Sequence, residues 1–147
     1  MNDAVVEHCY LASWMLVVED LQASLDFYCR LGFEKKALVG DGAWVLGMHG
    51  FRLDLWDRRL IRGEPMPLEG QPLRSHLLLR VADETAFTAL EHHVREAGLE
   101  IAHEPHRDPA SRRRMVLRDP DGNVVEILEE ELWFRDPGAP HPSWAKL

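Results

Sequence analysis

The chain has 147 residues, 46% of them hydrophobic and 29% charged, which fits one globular domain or two small halves on a shared core and excludes a multidomain machine or a disordered tract. Its 25 acidic against 17 basic residues give a net charge of −8, a field that repels nucleic acid. The nearly apolar stretch from Tyr10 to Val18 is shorter than the ~20 residues that span a bilayer, and neither a membrane span nor a signal peptide is expected. Cys9 and Cys29 have no metal-type spacing, so free thiols in a reducing cytoplasm are expected.

Residues 13–18 are a short apolar run with β-branched members, the pattern of a strand. Asp20 follows, a residue whose carboxylate accepts from the free N–H groups of a helix's first turn. Leu21, Leu25 and Tyr28 then recur at helical spacing up to Gly32, which suits the left-handed residue that closes a helix. Glu34–Val39, Trp44–Met48 and Phe51–Asp57 read as three strands, the last two forming a hairpin. Residues 63–72 carry Gly and Pro and are expected to be a linker.

Beyond the linker the pattern repeats. An apolar run at 76–81 ends near Asp83, a second cap, and Ala86, Leu90, Val94 and Ala97 form a helical stripe closed by Gly98. Strands are expected at Ile101–Glu104, Met115–Arg118 and Val124–Glu129. His103, His106 and the run Arg112–Arg114 are assigned to loop and solvated surface. Asp119-Pro120-Asp121-Gly122-Asn123 is a strong turn, with Pro fixing φ and Gly accepting positive φ. The tail, 132–147, is expected to be irregular although it holds Trp133, Phe134 and Trp144. The expected fold is therefore α+β: one domain of two tandem βαβββ modules, 10–62 and 73–131, forming a curled mixed sheet around a cleft.

Strand alternation sends residues two apart to the same face. Trp14, Leu16 and Val18, with Leu53 and Leu55, should face the first helix, and Leu77, Leu79, Val81, Val125 and Ile127 the second. The opposite, helix-free faces then carry Ser13, Met15, Arg52, Asp54 and Trp56 from the first module and His76, Arg80 and Glu126 from the second. Such a mixture of charge and aromatic surface is a costly dry core and reads as a ligand-holding concavity. Ser13 and Asp54 are related by the repeat to His76 and Glu126, so the four are expected to converge. Asp54 has a competing fate in an ion pair with Arg52 or Arg80, and His76 one as a structural histidine. His92 and His93 have no i, i+4 partner that makes a metal pair and read as solvated or packing residues, while His8 reaches the cleft only through a bulge.

Val18-Glu-Asp-Leu-Gln-Ala-Ser24, Phe27-Tyr28, Leu31-Gly32-Phe33, the strand opening at His76, and Asp119-Pro-Asp-Gly-Asn-Val-Val-Glu126 together resemble the vicinal oxygen chelate superfamily. That superfamily groups glyoxalase I, extradiol dioxygenases, fosfomycin-modifying enzymes, methylmalonyl-CoA epimerase and bleomycin resistance proteins, and the resemblance spans roughly residues 10–130. It implies a homodimer and a divalent metal ion, Fe, Mn, Zn or Ni, held by Asp54, His76 and Glu126. Ser13 departs from the pattern, since many members carry His or Gln there. The activity implied is that of a metal-dependent lyase, isomerase or dioxygenase acting on a small oxygenated substrate chelated through two oxygens. Glu126 would move the proton, and Ser13, Met15, Trp44, Arg52, Trp56 and Arg80 would line the substrate site. The alternative is a metal-free binding protein of the bleomycin-resistance type, which sequesters an aromatic, often cationic, drug. Ser13, the acidic charge, the tryptophans and Phe27-Tyr-Cys-Arg-Leu-Gly-Phe33 favour it.

Overall fold

A computed structural model describes residues 13–40, 42–61, 75–109 and 111–129. Cys9, His8, the linker 63–72 and the tail 132–147 lie outside the described residues, as do the outer bounds of both modules. The order of elements is β1 (Trp14–Val18), α1 (Leu21–Leu31), β2 (Glu34–Val39), β3 (Ala43–Met48) and β4 (Phe51–Asp57). A 3-10 turn at Arg58–Ile61 follows, then β5 (His76–Val81), α2 (Glu84–Glu96), β6 (Ile101–Arg107), β7 (Arg113–Arg118) and β8 (Val124–Glu129). Both expected βαβββ units are present.

Each unit forms a four-stranded mixed sheet, ordered β1-β4-β3-β2 in the first and β5-β8-β7-β6 in the second. The pairs β1–β4 and β5–β8 are parallel, the rest antiparallel. Asp20 caps α1 by accepting from Ala23 N at 3.0 Å, and Asp83 caps α2 by accepting from Ala86 N at 2.8 Å. Gly32, at φ 133°, ends α1 with its N–H on the carbonyls of Tyr28 and Cys29. That backbone conformation penalises any side chain.

One apolar core runs beneath both sheets on the helix side. Leu16, Val18, Leu53, Leu55 and Leu46 from the first sheet meet Met115, Leu117, Val125 and Ile127 from the second, with Leu25, Tyr28, Phe87 and Val94 supplied by the helices. At ~1.5–3 kcal/mol for each large side chain withdrawn from water, this shared layer dominates the stabilisation of the fold. Trp14 is the exception in its row. It stands at the strand's start, half exposed, and its indole N–H donates to Ser75 Oγ at 2.7 Å, tying β1 to the start of β5.

Three strands exceed their expected limits: β3 begins one residue early, at Ala43, and β6 and β7 are longer by two or three residues. β6 continues to Arg107 and β7 begins at Arg113, so His103, His106, Arg113 and Arg114 stand on strands, and the loop assignment is corrected. The hairpin closes at Asp108–Arg112, where Asp108 N donates to Arg112 O and Ser111 takes φ 61°. β6 is an edge strand whose register shifts twice, and edges tolerate Pro105 and polar residues that erase the alternating pattern.

Candidate functional site

The helix-free face of the first sheet is built around Asp54. Register sets Met15, Asp54 and Val45 in one row and Val17, Trp56 and Ala43 in the next. Asp54 is only 8% exposed and its carboxylate is fully engaged. Arg52 donates from Nε to Oδ1 at 2.8 Å and from Nη2 to Oδ2 at 3.0 Å, and Ser13 Oγ adds a bond to Oδ2 at 3.1 Å. The parallel fork is the strong geometry for an arginine and a carboxylate. Met15, 51% exposed, lies open beside it, and Trp56 is partly buried.

Trp44 is placed elsewhere. It pairs with Leu55, which puts it on the helix side, where it packs against the core with the Lys35 ammonium 5.4 Å from its ring. Its expected role in lining the substrate site is therefore corrected by strand parity. At the β3–β4 end of the same sheet a cavity of about 340 Å³ is lined by Arg52, Val45, Gly47, His49 and Lys36 among others. Lys36 sits at a register shift in β2 and lies across Gly47, where an added Cβ would meet its Cε at 2.9 Å.

On the second sheet's helix-free face the rows read His76–Val124–Arg118, Leu78–Glu126–Val116 and Arg80–Leu128–Arg114 across β5, β8 and β7. His76 and Glu126 meet, with Nε2 2.8 Å from Oε2. The other oxygen of Glu126 takes Arg114 Nη2 at 2.7 Å. Arg114 Nε is buried with no hydrogen-bond partner among the described residues. Sequence reasoning missed Arg114 because it stopped the strand at Met115. Extending the alternation of Met115 and Leu117 one residue back would have put Arg114 beside Glu126.

Ser13 and Asp54 meet, His76 and Glu126 meet, and the two pairs stand on separate sheets. Among the described residues no group of three or more His, Cys, Asp and Glu is arranged to hold a metal ion. The donor chemistry agrees, because the negative charge that would neutralise Fe, Mn, Zn or Ni at Asp54 and Glu126 is already matched by Arg52 and Arg114. A divalent ion would have to displace both guanidinium groups, so the residues do not fit a resident ion in this arrangement.

The Asp119–Asn123 turn joins the modules. Asp119 is buried and accepts from Tyr28 Oη at 2.7 Å, from the backbone of Asp121 and Asn123, and from Asn123 Nδ2. Burial, reinforced by the Asp119 charge, pushes the Tyr28 hydroxyl well above the usual phenol range. Asp121 accepts from Glu19 N at 3.1 Å and Ser24 Oγ at 3.2 Å, and burial raises its carboxyl. These contacts hold β8, and with it Glu126, against α1.

Residues 8–127 match the Glyoxalase/Bleomycin resistance protein/Dioxygenase superfamily. No curated protein matches the chain. Among solved structures, a lactoylglutathione lyase from Agrobacterium tumefaciens is 23% identical with a TM-score of 0.68, covering 84% of this chain and 96% of its own. A glyoxalase-related enzyme from Fulvimarina pelagi is 25% identical, TM-score 0.67, over 82% and 88%. A glyoxalase/bleomycin resistance protein/dioxygenase from Nocardioides is 23% identical, TM-score 0.68, over 95% and 93%.

Proposed function

Because the chain belongs to the glyoxalase/bleomycin resistance protein/dioxygenase superfamily, whose members bind small molecules, we propose that it binds a small molecule on its helix-free sheet faces without a resident metal ion. The observation that carries this reading is the occupation of both candidate carboxylates by arginine, Asp54 by Arg52 and Glu126 by Arg114. Ser13, Met15, Arg52, Trp56 and Arg80 contact the ligand, with Asp54 and Glu126 setting the directions of their arginines. Exposed Met15, Val39 and Leu78 support a homodimer that covers part of this surface. No helix among the described residues is long and apolar enough to cross a membrane.

A second reading, metal-dependent catalysis with Asp54, His76 and Glu126 as ligands and Glu126 as the proton carrier, is favoured by one observation. His76 sits 2.8 Å from Glu126 with 60% of its side chain exposed. A bound ion would polarise a substrate oxygen. The two readings part in a fluorescence titration of chelator-treated protein with planar aromatic ligands. Binding that quenches tryptophan emission equally with and without added Zn, Ni, Mn or Fe, and that survives His76→Ala, is expected. Binding that appears only with the ion and vanishes in His76→Ala would establish the second reading.

A further inference from the structure

Gly47 stands inside β3 without a backbone reason to be there. It does not take positive φ, and a glycine within a strand forgoes packing and often marks a close approach by another group. The group that approaches is Lys36. A Cβ at position 47 would come within 2.9 Å of the Lys36 Cε and 3.3 Å of its Cγ, so the methylene stem of the lysine lies in the space that a side chain would fill.

The register of β2 brings Lys36 there. Lys35 pairs with Leu46 and Ala37 with Val45, which leaves Lys36 as the extra residue of a bulge, and a bulge re-aims the side chain it inserts. The ammonium is held by Glu34, opposite Gly47 in the ladder, through a bond of 2.6 Å. Those two side chains are 55% and 73% exposed, and an ion pair so open to water holds its partners weakly. Lys36 is thus a strap across Gly47, seated on bare backbone along its stem and loosely fastened at its end. Gly47, Lys36 and Glu34 all line the cavity of about 340 Å³, and Arg52, in row with Gly47 on β4, lines it too.

We propose that the Lys36 strap over Gly47 is the specificity-determining wall of the ligand site: it swings off Glu34 to admit a flat aromatic ring, which takes the place of the lysine stem on the Gly47 backbone. Flatness follows from the seat. A methylene chain and an aromatic ring both rest at about 3.5–4.0 Å from the atoms beneath them, so a ring fits where the stem lies. A saturated ring system of the same outline is thicker, and the neighbouring side chains Val45 and Arg52 hold it off the floor. This rests on the small-molecule reading above and deepens it, since Arg52 belongs to both.

The test is a nitrogen-15 NMR titration of the full chain with 2-naphthol and with its saturated twin, decahydro-2-naphthol. Saturable shifts for naphthol centred on Lys36 and Gly47, with binding roughly tenfold weaker for the saturated alcohol, are expected. Gly47→Ala raises the floor and displaces the flexible Lys36 stem, so it should weaken naphthol roughly tenfold. Lys36→Ala and Glu34→Gln, which remove the strap and its fastening, should each strengthen naphthol several-fold, and Lys36→Ala combined with Gly47→Ala should stay weak. Melting curves confirm that each variant is folded, and if Gly47→Ala is not, Lys36→Ala and Glu34→Gln decide alone. Naphthol and its saturated twin bound alike, full affinity in Gly47→Ala, or no gain in Lys36→Ala would overturn the proposal. Shifts confined to β5, β7 and β8 would overturn it while leaving the small-molecule reading intact. No saturable shift with naphthol or with the planar ligands of the fluorescence titration would remove both.

Discussion

The two modules share a backbone plan and differ in how each neutralises its central carboxylate. In the first, Arg52 lies two residues from Asp54 on the same strand, so the pair is local and half of the arginine side chain faces water. In the second, Arg114 reaches Glu126 from the neighbouring strand and is more buried, with 32% of its side chain exposed. The repeated frame therefore fixes where a functional side chain stands, and non-equivalent neighbours decide its chemistry. The helix side shows the opposite behaviour, since both modules pour into one apolar layer.

That contrast can be broken at several points. The largest effect belongs to the shared core. Leu53→Ala and Ile127→Ala should each cost ~2–5 kcal/mol, measured by urea unfolding, with a single cooperative transition in both. Two separate transitions would mean that the modules fold independently. Next are the arginines: the side chains of Asp54 and Glu126 are equally withdrawn from water, 12% and 13% exposed, so Arg52→Met and Arg114→Met should each strand a mostly buried carboxylate at ~1–3 kcal/mol, the former at the upper end because Asp54 keeps the Ser13 hydroxyl whereas Glu126 keeps His76. A larger loss in Arg114→Met would show that the cross-strand pair is the stronger one.

The latch between modules ranks third. Tyr28→Phe removes the bond to Asp119 and should cost ~1 kcal/mol. Burial raises the tyrosine's folded pKa, so its contribution is present below the unfolded value of ~10 and is lost as pH rises beyond it. Alkaline denaturation curves should therefore flatten in Tyr28→Phe. The smallest effect compares Asp57 and Glu129, which close β4 and β8 at equivalent places. Hydrogen bonds from Arg59 lower the Asp57 carboxyl to about 2. Its contribution is present above the ordinary carboxylate value of ~3.9 and is lost as pH falls toward about 2. Arg59→Ala should weaken this acid limb in a melting-temperature series, and Glu129→Gln should leave it in place.

The strands that bury one face were legible in the sequence. β2, β4, β5 and β8 have their expected limits, and Asp20, Asp83, Gly32 and Gly98 act at the helix ends as their chemistry requires. The β6–β7 hairpin was obscured because an edge strand carries no apolar alternation, and with it went Arg114. The repeat led to the expectation that Ser13, Asp54, His76 and Glu126 converge, whereas Ser13 meets Asp54 and His76 meets Glu126 as two separate pairs. Whether a carboxylate binds a metal or an arginine depends on cross-strand neighbours that a linear pattern does not register, and Trp44 stands on the helix side because it shares the parity of Leu46 and pairs with Leu55. The reach of Asp119 to Tyr28 across the modules had no local signal beyond the turn itself.

The central claim is that arginine, rather than a resident ion, satisfies Asp54 and Glu126. Elemental mass spectrometry of untagged protein, purified without chelator and then reconstituted with Zn, Ni, Mn or Fe, tests it directly. The account predicts well under one ion per chain, unchanged in His76→Ala and Glu126→Ala. About one transition-metal ion per chain, lost in both variants, would contradict it.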